Sequence, residues 1–126
     1  MNMILAIALG GGLGSVTRHY AIAGTNGLLG GSFPYGTLLV NVLGSFVIGA
    51  LMETMAQKWQ VSLEVRAFLV TGFLGGFTTF SAFSFDVLKL AETGQYLSAA
   101  LYVLLSVALS LTAIFCAVYF VRGVFT

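Results

Sequence analysis

Charged residues punctuate this chain into four long apolar blocks. The first runs from Met1 to Thr17, ahead of Arg18 and His19, and continues weakly to about Ala23. The second lies between Pro34 and Met52, the third between Ala67 and Phe85, and the fourth between Thr93 and Val121. Crossing the hydrocarbon of a bilayer takes about 20 residues at about 1.5 Å of rise each. The pattern therefore predicts an all-α integral membrane protein with four spans, 2–23, 34–55, 65–90 and 95–122, in one domain. The first span is the least apolar, because Arg18 must reach an interface or find a partner. The connections fit: "TNGLLGGSFP" reads as a turn-rich loop with Pro34 at an early helical position, "QKWQVSLE" is short and polar with Trp59 as an interfacial anchor, and "AETGQ" makes a tight turn.

Polar residues inside the spans recur at helical spacing. Thr37, Asn41, Ser45 and Gly49 form one face of the second span, and Ser98, Tyr102, Ser106 and Ser110 one face of the fourth. Polar groups facing lipid cost free energy, so both stripes are expected to face protein or water. Hydrogen bonding and close packing between helices explain the serines at about 1 kcal/mol per contact. Asn41 asks for more, since its amide carries two donors and an acceptor. "GGGLG" at Gly10 to Gly14 lacks the G-x-G-x-x-G spacing of a phosphate loop, failing at Ser15, and reads as close helix packing.

The third block holds an anomaly. "TGFLGGFTTFSAFSFD", residues 71 to 86, sets Gly75, Gly76, Thr78 and Thr79 in the middle of a span. Glycine costs about 1 kcal/mol relative to alanine inside a helix, and threonine is a poor helix former. The stretch "GGFTT" therefore predicts a break near the bilayer midplane. A membrane tolerates the freed carbonyls and amides only where they line a cavity or bind something. Carbonyls suit a hard cation such as Na⁺. Phe80 and Phe83, three apart, share roughly one helical face, and their positive ring edges can meet an anion without trapping it. A packing kink with core phenylalanines is the alternative.

Composition narrows the function. Of 126 residues, 59% are hydrophobic and 7% charged, too few to clothe a soluble domain. The net charge of +1, with no Lys/Arg cluster, argues against nucleic acid. The lone Cys116 makes neither an internal disulfide nor a metal site. No basic region or A-x-A-type site marks the N-terminus as a signal peptide. Glu53 and Asp86 stand at block ends, Glu64 and Glu92 in loops, so no carboxylate lies deep in a span to carry a coupled proton. His19, the sole histidine, has no recognisable catalytic partner, and the chain is not expected to be an enzyme. Four spans put both termini on one side, with Lys58, Arg66 and Arg122 there and Arg18 and Lys89 opposite. The positive-inside rule reads that near-balance as almost no instruction, which leaves dual insertion open beside a single orientation set by a partner or the insertion machinery.

The segments "GTLLVNVLGSFVIG" (residues 36 to 49) and "TGFLGGFTTFSAFSFD" resemble the small fluoride channels of the Fluc or CrcB family. The G-T-x-x-V-N-x-x-G and G-x-x-G-G-x-T-T-F-S-x-F motifs are specific, and the resemblance covers nearly the whole chain, with Arg18 also fitting the family's first helix. It implies an antiparallel, dual-topology homodimer in the cell inner membrane. It further implies two fluoride pores and a central, non-transported Na⁺. Matched residue by residue, it places sodium-coordinating carbonyls at Gly75 and Thr78, pore phenylalanines at Phe80 and Phe83, and the pore amide at Asn41. A polar track falls at Tyr102, Ser106 and Ser110. The implied role is fluoride resistance, by passive exit of the ion from the cell. Two rivals differ in what they need. A small four-helix multidrug exporter is expected to have a central carboxylate, which is lacking. A non-transporting assembly subunit explains the glycines but gives no reason for Asn41 beside an aromatic pair.

Overall fold

In the computed structural model, which describes residues 2–125, every regular element is helical and no strand occurs among the described residues. The first rod is α1 (Met3–Leu29) and the second α2 (Tyr35–Gln57). The third is assembled from α3 (Leu63–Arg66), a π-helical segment (Ala67–Leu74), α4 (Gly75–Phe77) and α5 (Phe80–Glu92). The fourth is α6 (Tyr96–Phe125). Three of these rods, Tyr35–Gln57, Leu63–Glu92 and Tyr96–Phe125, are long and apolar enough to cross a membrane. The 27 residues of α1 reach about 40 Å. Its glycine run, Arg18 and His19 leave it less apolar than the other three.

The first helix outruns the expected 2–23 by a turn and a half. "TNGLL" stays helical, and the connection shrinks to Gly30–Pro34. Asn26 explains part of this, because its Oδ1 accepts the amide of Gly36 at 2.9 Å and so satisfies an orphan donor in the first turn of α2. The chain then reverses at Gly30 and Gly31, whose φ values of 64° and 74° exclude most side chains.

Close backbone approach holds the rods together, as the glycine run suggested. A Cβ on Gly10 would collide with the carbonyl of Phe68, and one on Gly14 with the carbonyl of Phe73. From the other side, a Cβ on Gly72 would stand 3.0 Å from the Cα of Gly10. On the α2–α6 seam, a Cβ on Gly49 would come within 2.8 Å of the Ile114 carbonyl and 3.2 Å of the Ala117 Cβ. Lipid tails are as apolar as leucine, so van der Waals contact of this kind does the work that the hydrophobic effect does in water. At the far end of the same seam, Glu53 accepts the Arg122 Nε at 2.8 Å, and the guanidinium lies 5.5 Å from the Tyr119 ring centre.

Candidate functional site

The break in the third rod creates the site. The span Leu63–Glu92 has 30 residues, and helicity lapses halfway, at Thr78 (φ −88°, ψ 158°) and Thr79 (φ −154°, ψ 121°). In a continuous helix the Thr79 amide would bond the Gly75 carbonyl, and the Ala82 amide the Thr78 carbonyl. Both donors are diverted. The Thr79 amide donates to Asn41 Oδ1 at 2.7 Å, and the Ala82 amide to Thr79 Oγ1 at 3.1 Å, which caps α5. Asn41 completes the exchange by donating Nδ2 to the Thr79 carbonyl at 3.0 Å. One side-chain amide thus answers a donor and an acceptor that the break exposes, as a membrane interior requires. With those amides diverted, the carbonyls of Gly75 and Thr78 are among those at the break that lose their helical donors, and carbonyl oxygens of this kind fit a hard cation.

Seven of the eight residues singled out from sequence line one groove of about 450 Å³ between α2, the third rod and α6. They are Asn41, Gly75, Thr78, Phe80, Phe83, Ser106 and Ser110. Ser45 joins them, and no charged side chain is among the lining residues. The rings of Phe80 and Phe83 are 5.4 Å apart and tilted by 47°. Phe80 is 78% exposed on the chain, whereas Phe83 is half-buried. Phe73 and Phe77 stack on each other at 6.1 Å, and neither lines the groove.

Tyr102 is the eighth, and it lies buried beyond the groove lining. Its ring is fully enclosed and stands 5.1 Å from the Phe83 ring, and its hydroxyl donates to Asp86 Oδ2 at 3.0 Å. One turn along α6, Ser106 Oγ is buried with no hydrogen-bond partner among the described residues. A hydroxyl so placed is costly unless something else meets it. Sequence reasoning set Asp86 at the end of a block and assigned it no partner. Its spacing of three from Phe83 on α5 was the available signal, since that puts both on one helical face.

A family model described as "CrcB-like protein, Camphor Resistance (CrcB)" matches residues 5–118. A protein of Rhizobium johnstonii named "Fluoride-specific ion channel FluC" is 48% identical over 114 residues, covering 90% of this chain and 91% of that one. Its namesake in Agrobacterium fabrum is 46% identical over 125 residues, 99% of this chain and all of the relative. Another in Rhodospirillum centenum is 48% identical over 122 residues, 97% of each.

Proposed function

The chain belongs to the CrcB family, and on that premise we propose that it lets fluoride leave the cell passively, lowering its internal concentration. It is a membrane ion channel and not an enzyme. The observation that carries the reading is the midspan break stitched by Asn41 and flanked by Phe80 and Phe83 in an uncharged groove. Fluoride is small and holds water tightly, so a selective path must supply close donors in its place. The second N–H of Asn41, the hydroxyls of Ser106 and Ser110 and the ring edges of the phenylalanines are such donors. The amino end of α5 adds a fixed partial positive charge beside them. None carries a full positive charge, so the ion is met without being held.

The groove leaves Phe80 78% exposed, and one chain of four rods is too small to close it. The working unit is an antiparallel homodimer in the inner membrane, its two-fold axis in the membrane plane bringing two breaks together. A central Na⁺ would sit on the carbonyls of Gly75 and Thr78 from both chains, where its charge offsets the desolvation of nearby anions. The near-even Lys/Arg count supports insertion in both orientations.

Two experiments test this reading. Liposomes holding only the purified protein are expected to release fluoride and retain chloride. Phe80→Ile keeps an apolar side chain and removes only the ring, so the dimer should persist while fluoride release falls several-fold. Chloride release equal to that of fluoride would refute selectivity, and an unchanged rate in Phe80→Ile would remove the ring from the path. A reporter fused to the C-terminus should appear on both sides of the membrane and collapse to one side when lysines are added beside it. A single orientation in the unmodified protein would end the dual-topology reading.

A further inference from the structure

The connection between α1 and α2 does more than join them. Phe33, on that connection, meets the Tyr102 ring edge-on, with centroids 5.6 Å apart and planes at 85°. Phe83 meets it at 5.1 Å and 42°. Leu90 and Ala99 complete the buried cluster around Tyr102. The connection is itself tethered: Ser32 Oγ donates to Gln95 Oε1 at 2.7 Å, so Gly30–Pro34 is tied to the turn from which α6, the helix carrying Tyr102, departs. The Phe33 ring is also braced at 4.8 Å by Tyr35, the first residue of α2.

We infer that Phe33 is a positioning residue of the ion path, clamping Tyr102 against Phe83 so that the phenol hydroxyl stays committed to Asp86. A phenol has one proton to give. The phenol gives that proton to Asp86 Oδ2 at 3.0 Å and also meets the Thr37 hydroxyl, so with the ring gripped from two sides the oxygen's position relative to the buried Ser106 hydroxyl one turn away is fixed. Without Phe33 one edge of the ring loses its brace, and the hydroxyl divides its time between Asp86 and Thr37. Edge-to-face rings are worth about 0.5–1.5 kcal/mol beyond their buried area, which converts to a shift of roughly twofold to tenfold in the clamped population. The inference rests on the reading of Tyr102 as part of the fluoride track.

The test is a double-mutant cycle read by fluoride release from liposomes and by the fluoride concentration giving half-maximal rate. Phe33→Leu is expected to lower release by roughly twofold to tenfold, and Phe33→Tyr, which keeps the ring, to restore it. In a Tyr102→Phe background, where the hydroxyl is gone, Phe33→Leu should change nothing further. Ser32→Ala, which frees the tether but keeps every ring, should act in the same direction more weakly and covers the case in which Phe33→Leu fails to assemble. An equal loss from Phe33→Leu in both backgrounds would make Phe33 a packing residue only and overturn the clamp. Unchanged release in Phe33→Leu and Ser32→Ala, with Tyr102→Phe impaired, would overturn it as well. Unchanged release in Tyr102→Phe would instead remove the hydroxyl from the track, and the clamp's function with it.

Discussion

Asn41→Asp is expected to lower fluoride release by about three orders of magnitude while leaving the helices in place. The estimate follows from charge alone. A carboxylate about 4 Å from a fluoride, at the effective dielectric of a partly buried site, repels it by about 4 kcal/mol, and each 1.4 kcal/mol is about a factor of ten in rate. Local structure adds to the effect. An ionised aspartate can still accept the Thr79 amide, now donating to Asn41 Oδ1 at 2.7 Å, but it has no N–H for the Thr79 carbonyl at 3.0 Å. Two oxygens would then face each other across the break. Asn41→Ala removes both bonds without adding charge, and it should impair release less than aspartate while loosening the break more. Hydrogen exchange at the Thr79 amide reads the loosening separately from transport. Aspartate and alanine variants with equal release would show that Asn41 acts through the break and not through the ion.

The rods and the break that frame this candidate site were legible in the amino-acid sequence. Apolar blocks bounded by charge gave the rods, because bilayer thickness leaves little freedom in their length. The low helix propensity of "GGFTT" gave the break, and the structure puts it at Thr78 and Thr79, with Gly75–Phe77 still helical. Small residues at Gly10 and Gly14 announced a close helix contact, and the clash of a Cβ with the third rod's carbonyls explains why only glycine serves there. What stayed hidden depends on pairs remote in sequence. The bond from Asn41 to Thr79 spans 38 positions, that from Tyr102 to Asp86 spans 16, and that from Ser32 to Gln95 spans 63. Spacing along one helix shows which face a residue shares, as with Phe83 and Asp86, but not which residue of another helix meets it. The π-helical stretch Ala67–Leu74 escaped for a different reason. "AFLVTGFL" carries no residue that favours a wider turn over an α-helical one, and packing of Gly72 on α1 selects the backbone there. The continuation of α1 to Leu29 was masked by "TNG", whose turn-forming habit yields to the bond between Asn26 and Gly36.

Gly75 separates what one chain needs from what two chains need. Its backbone is ordinary right-handed helix at φ −61°, it is exposed on the chain, and a Cβ added there would meet only the Val70 carbonyl, at 3.7 Å. Within one chain, Gly75→Ala should therefore be harmless, and its higher helix propensity should stabilise the rod by up to about 1 kcal/mol. If the Gly75 and Thr78 carbonyls of two chains converge on a shared Na⁺, the same methyl must enter a space that two backbones and an ion already occupy. Gly75→Val is then expected to abolish fluoride release and to leave monomers on size-exclusion chromatography, with helix content by circular dichroism unchanged. Thr78→Ser, which keeps the backbone and the hydroxyl that now donates to the Leu74 carbonyl at 3.0 Å, should be mild. Replacing Na⁺ throughout by a much larger monovalent cation should reproduce the Gly75→Val result in the unmodified protein, and no Na⁺ current should accompany fluoride release when Na⁺ is present. Dimers with full fluoride release after rigorous Na⁺ removal would leave the break as a dry kink. The diverted amides of Thr79 and Ala82 would then serve Asn41 and the α5 cap alone.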